Sequence, residues 1–246
     1  MTATDLILTL GTKDAPLIVD VCLADDFAAD PFLIPGSIRH TYTDMDGLRK
    51  KLQARTAVIV CQKGLKLSQG VAAWLRAEGE RAQFLAGGMY GWRDHPGAPR
   101  IPAQAMPDVV DGQTTWVAPD KAKPDGLACL WLIRRFIDPD ARILFVEPTE
   151  AATVADRFGA TDLEAFATPL APDGTHSRFK AMMTRLHLTL PSLNRMAEGL
   201  HAAGVHAICE GVHHLQLSDQ GRLDAAVSIF DALFTQATYA QKRGAT

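Results

Sequence analysis

The sequence predicts an α/β domain built on a parallel sheet, followed by a mostly helical α+β domain. Three observations carry this reading. Through roughly the first ninety residues, short β-branched runs alternate with helix-patterned segments, the arrangement of strands buried between helices. From His95 to Gln113 the chain holds four prolines and two glycines and no apolar period, as expected of a connection between domains. Beyond it, helical periodicity dominates. The expected boundaries are a first domain over residues 1–97, a linker over 98–113 and a second domain over 114–246.

Each element has a local reason. Thr4 to Leu10 reads as a short helix with Thr4 as its N-cap. Leu17 to Cys22 (LIVDVC) and Thr56 to Cys61 (TAVIVC) are apolar runs of buried parallel strands, and Ile34-Pro-Gly36 is a turn. Ser68 to Glu78 is a helix with Val71, Ala72, Trp74 and Leu75 on its inner face and Gly79 as its stop. Gln83 to Leu85 is a third strand, closed by Gly87-Gly88. In the second domain Thr115-Trp-Val is a short strand. Asp125 caps a helix running to Phe136, which Asp138-Pro-Asp140 ends. Arg142 to Val146 is a strand, and Thr149 to Phe158 is a helix stopped by Gly159. Further helices are expected near 176–187, 191–203 and 222–237.

Composition removes several classes. With 47% apolar and 22% charged residues in 246, the chain has the make-up of a folded protein. No window holds 18 uninterrupted apolar residues, so no membrane span is expected. Met1 to Leu10 carries Asp5 and no basic residue and does not read as a secretory leader. Cys22, Cys61, Cys129 and Cys209 lie far apart with no CxxC pair, which points to free thiols and a cytoplasmic setting. Residues 1–100 carry 12 Lys and Arg against 11 Asp and Glu, and the remainder 13 against 17. Neither part has the basic excess of a nucleic-acid-binding module, so DNA binding is not expected.

The most informative segment is Val58 to Ser68, VIVCQKGLKLS. A cysteine ends a buried strand, a short glycine-containing loop follows, and a helix begins. The helix N-terminus and successive loop N–H groups favour an anion at that point. Lys63 and Lys66 add positive charge. Such surroundings favour a thiolate, the nucleophilic form. On the residues alone Cys61 is either such a nucleophile or a buried strand-end cysteine.

The segment and three others together resemble the rhodanese family. Leu17-Ile-Val-Asp-Val resembles its first core strand with the aspartate, Asp20. Ile34-Pro-Gly-Ser-Ile38 resembles its HIPGAI turn, with Leu33 in place of the histidine. Cys61-Gln-Lys-Gly64 resembles the start of its active-site loop, and Leu85 to Trp92 its LxGGxxxW segment. The resemblance implies a rhodanese-like parallel sheet flanked by helices. It implies a sulfurtransferase in which Cys61 accepts a sulfane sulfur as a persulfide and passes it to a thiol or to cyanide. Gln62, Lys63, Gly64, Leu65 and Lys66 would cradle a small sulfur-containing anion, thiosulfate or a persulfide donor, with no organic cofactor. Three departures stand out. Lys66 takes the place of an arginine and offers a point charge without a bidentate fork. Leu67 delays the loop's serine to Ser68, which reads as a loop one residue longer, with room for a larger substrate. Cys22 replaces the strand-end arginine, as a resolving thiol or as a core cysteine.

In the second domain, Arg134 and Arg135 sit in a strongly apolar helix, either binding an anion or closing the helix C-terminus. The run from Asp125 to Ala141, DGLACLWLIRRFIDPDA, resembles the C-terminal domain of the ChrB family of chromate-resistance proteins, with Leu130 where the family has proline. That resemblance extends over about 114–240 and implies a setting of chromate or oxyanion stress. It weakens after Phe158: Ser177 stands near an expected cysteine and Lys180 near an expected acid. Six of the eight histidines lie between His176 and His214, and His206, Cys209, Glu210, His213 and His214 fall close together. They read either as a transition-metal set or as scattered surface histidines with one core cysteine, and no metal ligand is assigned. The leading expectation is thus a rhodanese-type sulfurtransferase with an accessory domain. The alternatives are an oxyanion sensor without turnover and, last because the clamping arginine is missing, a phosphatase or arsenate-reductase-like enzyme.

Overall fold

The computed structural model describes residues 1–110, 112–120, 122–168, 177–215 and 217–244. The chain divides into two compact units, Met1–Ala103 and Gln104–Thr246.

The first unit runs α1 (Ala3–Ile7), β1 (Leu17–Asp20), α2 (Ala24–Ala29), β2 (Phe32–Leu33), β3 (Ser37–Arg39), α3 (Met45–Leu52), β4 (Ala57–Val60), α4 (Lys66–Ala77), β5 (Ala82–Phe84), α5 (Gly88–Arg93) and β6 (Ile101–Pro102). Its sheet has the order β3-β1-β4-β5, all parallel, with Asp20 opposite both Arg39 and Val60. β1 and β4 are buried at every residue, as central parallel strands are. Leu17, Val19, Val21, Ile59 and Cys61 pack with Val71, Ala72 and Leu75 of α4 and Leu48 and Leu52 of α3 in one core. The α/β parallel sheet expected from the sequence is present.

Local details differ. Thr2, not Thr4, caps α1: its hydroxyl accepts from the Asp5 amide while Asp5 reaches back, a reciprocal capping box. Trp74 is 60% exposed, and buried Ser68 takes its expected place on the inner face of α4. α2 and α3 were not expected. α2 buries none of its residues, and α3 buries only Leu48 and Leu52, with Met45 half-buried against the same core, too sparse a stripe to stand out. The proline-rich segment is paired at both ends. β6 runs antiparallel to β2, and the Trp92 indole donates to the Pro99 carbonyl at 2.9 Å, so residues 98–103 lie with the first unit.

The second unit contains β7 (Val109–Val110), β8 (Gln113–Pro119), α6 (Pro124–Leu132), β9 (Arg142–Val146), α7 (Ala151–Phe158), β10 (Thr161–Asp162), α8 (Leu163–Phe166), α9 (Arg178–Arg185), α10 (Pro191–Gly199), α11 (Ala203–His214) and α12 (Asp219–Gly244). A small mixed sheet has β8 paired to β7, β9 and β10, and helices make up the rest, the mostly helical α+β arrangement expected. α6 is buried at Leu127 to Leu132 and continues into a π-helical turn, Ile133–Ile137, which carries both arginines. Asp125 does not cap α6. Its carboxylate accepts from the Arg178 and Phe179 amides at 2.6 and 3.2 Å, capping α9 across the unit. α11 falls between the expected helices. No helix among the described residues is long and apolar enough to cross a membrane.

Candidate functional site

Cys61 follows β4 at the C-terminal end of the sheet and is 5% exposed. Its thiol donates to the hydroxyl of Ser68 at 3.1 Å, and that hydroxyl donates onward to the Leu65 carbonyl at 3.3 Å. Ser68 lies in the first turn of α4, so the sulfur stands at a helix N-terminus, and no side chain caps that helix. The uncapped N–H groups and the helix dipole favour negative charge there. α4 begins at Lys66. Leu67 is taken into the helix's first turn, half-buried against the core, and Ser68 still reaches the sulfur. Lys63, Leu65 and Lys66 are exposed, while Gly64 is buried and Gln62 half-buried.

The loop is held from behind by the start of α5. The Met89 amide donates to the Cys61 carbonyl and the Tyr90 amide to the Gln62 carbonyl, each at 3.0 Å. The Gln69 side chain donates to the Gly64 carbonyl at 3.0 Å. Gly64 and Gly88, at φ +68° and +58°, lie where the two segments cross. A Cβ on Gly64 would fall 2.6 Å from the Gly88 nitrogen, and one on Gly88 2.1 Å from the Cys61 oxygen. Two backbones at this separation admit only glycine. The Gly87-Gly88 doublet therefore belongs to the site. Its signal in the sequence was the doublet itself, read there as a strand closure and family landmark.

Asp20, at the end of β1, is buried; one carboxylate oxygen accepts from the Cys22 amide at 2.8 Å, and the other lies 3.4 Å from the Arg39 guanidinium. Arg39 also donates to the Cys22 carbonyl at 3.0 Å and lies 3.8 Å over the Phe27 ring. Asp20 thus has its neighbouring cation from β3, a pairing that sequence order does not reveal. Burial, and next the Asp20 carboxylate, push the Cys22 thiol well above the usual thiol range. Val21, not Cys22, packs with Cys61 in the core, because neighbouring residues of an extended chain face opposite ways. Cys22 instead lines a pocket of about 330 Å3 with Leu23, Arg39, His40 and Tyr42.

Arg134 and Arg135 belong to the second unit. Arg134 donates to the Pro139 carbonyl at 2.7 Å, just beyond the helix end, and burial holds its pKa below the usual guanidinium value. Arg135 makes a two-pronged pair with Asp231 of α12, at 2.8 and 2.6 Å, and the Trp131 indole donates to the same carboxylate. Burial raises the thiols of Cys129 and Cys209. Among the described residues no group of three or more His, Cys, Asp or Glu is arranged to hold a metal. His213 bonds the Ala122 carbonyl at 2.8 Å, His206 is exposed, and His176 lies outside the described residues.

Residues 2–95 match the family model of the rhodanese-like domain, and residues 116–237 that of the C-terminal domain of ChrB. Protein ChrB of Cupriavidus metallidurans is 30% identical over 139 residues, 52% of this chain and 42% of that protein. The alignment thus spans less than half of that relative's length. A solved rhodanese-related protein from Thermoplasma volcanium is 20% identical, covering 41% of this chain and 95% of its own, with a TM-score of 0.35. A protein from Staphylococcus saprophyticus subsp. saprophyticus is 26% identical, covering 36% and 87%, with a TM-score of 0.32.

Proposed function

From a chain that joins a rhodanese-like domain at residues 2–95 to a ChrB C-terminal domain at 116–237, we propose a sulfurtransferase with Cys61 as its nucleophile, working in chromate or oxyanion stress. The observation that carries this reading is the placement of the Cys61 sulfur 3.1 Å from the Ser68 hydroxyl, in the first turn of an uncapped helix.

The Cys61 thiolate attacks the outer sulfur of thiosulfate. A sulfur–sulfur bond forms as the original one breaks, and sulfite leaves with the electron pair. Ser68, now bonded to the Leu65 carbonyl, turns its hydroxyl to donate to the sulfur that carries charge. The N–H groups at the start of α4 face the developing charge, and Lys63 and Lys66 attract the dianion as point charges. In the second half, cyanide or a thiolate attacks the outer sulfur of the persulfide, and the Cys61 thiolate leaves. No organic cofactor enters either step.

The test is thiocyanate formation from thiosulfate and cyanide, with intact-protein mass read in parallel. The wild type is expected to gain one sulfur atom and to form thiocyanate, and Cys61→Ser is expected to do neither while folding normally. Full activity in Cys61→Ser would overturn the assignment. The lysine in the arginine's place favours a second reading, an oxyanion-binding domain without turnover. Tight oxyanion binding by calorimetry with no sulfur adduct would establish that one instead.

A further inference from the structure

In the second unit β8 and β9 run parallel, with Thr115 opposite Arg142 and Val117 opposite Leu144. Register partners share a face of the sheet, and so do residues two apart on one strand. One face therefore carries Gln113, Thr115 and Val117 from β8, and Arg142, Leu144 and Val146 from β9. After β9 the chain returns through α7 to start β10, parallel to β8. α7 packs Ala151, Val154 and Ala155 on Val117, Leu144 and Val146, the later part of both strands. Its 8 residues reach about 12 Å, whereas the 7 of β8 reach about 23 Å. The helix stops at Gly159, at φ +58°, and the first residues of the two strands stay uncovered on this face.

A groove of about 730 Å3 opens there. Gln113, Thr115 and Arg142 line it, with Val110 of β7 and Phe158 in the last turn of α7. Phe158 is 67% exposed and Val110 55%, so both present apolar surface that gains by losing water. The Arg142 guanidinium has no ion pair or hydrogen bond among the described residues, and neither do the Thr115 hydroxyl and the Gln113 amide. Asp219 at the rim is already paired with Arg222, so the uncompensated charge of the groove is that of Arg142.

We propose that this groove binds an organic anion with a flat apolar body, an aromatic carboxylate or sulfonate. The guanidinium of Arg142 offers two parallel donors to the anionic group, and Thr115 and Gln113 stand beside it with further donors. Phe158 and Val110 cover the apolar body. The volume is that of a small-molecule pocket, roughly 300–1,000 Å3, and the mixture of apolar lining with a few polar groups is the same. A tetrahedral oxyanion fills little of this space and makes no use of its apolar walls. A peptide strand finds no ladder there either. The floor is a sheet face, whose main-chain groups lie in the plane of the sheet and not toward the groove, so recognition falls to side chains.

The experiment is fluorescence titration of the full chain with two probes, anilinonaphthalene sulfonate and its uncharged counterpart phenylnaphthylamine. The probes share their rings, and only the first carries an anion. The wild type is expected to bind the sulfonate at one saturable site, roughly 10- to 100-fold more tightly than the neutral probe, as a hydrogen bond to a charged group implies. Arg142→Gln is expected to bring the two affinities within about threefold of each other. Phe158→Ser is expected to weaken both by roughly tenfold. Both side chains are exposed, and near-ultraviolet circular dichroism checks that each variant is folded; the second variant keeps the test decisive should the first fold poorly. A wild type that binds neither probe overturns the proposal. So does a folded Arg142→Gln that keeps the wild-type preference for the sulfonate, or a folded Phe158→Ser that leaves both affinities unchanged.

Discussion

Replacing Gly88 by alanine tests whether the chain crossing behind Cys61 holds the nucleophile in place. The new Cβ would stand 2.1 Å from the Cys61 carbonyl oxygen and 2.3 Å from the Gly64 nitrogen. Even close carbon–oxygen contacts keep about 3.3 Å, so the overlap is about 1 Å, and both neighbours are main chain with no rotamer to escape through. The φ of +58° adds about 1–2 kcal/mol of left-handed strain for a residue with a Cβ. Overpacking adds about 1–3 kcal/mol, for a total loss of about 2–5 kcal/mol. A shift of about 1 Å at the sulfur lowers transfer roughly 100-fold. Gly79 is the matched control: its φ is +84°, and a Cβ there meets nothing within 4 Å, so Gly79→Ala carries the conformational cost alone. Urea unfolding and the thiosulfate–cyanide assay are run on both variants. Equal unfolding midpoints, with transfer by Gly88→Ala at the wild-type rate, would refute the reasoning.

Three further outcomes follow from the same geometry. Ser68→Ala removes a hydrogen bond to a sulfur that becomes charged, worth about 1.5–3 kcal/mol, so persulfide formation should slow by roughly 10- to 100-fold, read by single-turnover sulfite release. Cys22, whose thiol is raised by burial and Asp20, stays protonated in the folded chain while the unfolded chain ionises near its ordinary value of 9.0. The unfolded state then binds fewer protons, so this group's contribution to stability falls as pH rises through 9, and urea midpoints of Cys22→Ala should lose less than the wild type between pH 8 and about 10. Asp231→Ala strands the Arg135 guanidinium and the Trp131 N–H; the paired side chains are each 20% exposed, so the cost is about 2–4 kcal/mol, somewhat below that of breaking a fully buried pair. Arg135→Met, which leaves Asp231 its indole donor, should cost less in the same urea titration.

The local sequence determined the strands that make the site. Leu17 to Val19 and Ala57 to Val60 are short β-branched runs apolar on both faces, as central parallel strands between helices are, so their type, and Cys61 at the end of the second, were legible at once. Arg142 to Val146 was legible residue for residue, and Gly159 at φ +58° stops α7 as its position announced. Helices with few buried side chains, α2 and α3, left no apolar stripe to read.

What the tertiary structure alone decided are the relations between segments distant in the chain. Ser68 meets Cys61 because the first turn of α4 lies against the end of β4. Arg39 serves Asp20 because β3 lies beside β1. Asp125 caps a helix 53 residues further on, and Arg135 is answered from α12. Propensity and periodicity act over a few residues through the chain's own geometry. Hydrogen bonds, ion pairs and a glycine-only crossing depend on which segments the packed core brings within about 3 Å of one another, and no local pattern records that.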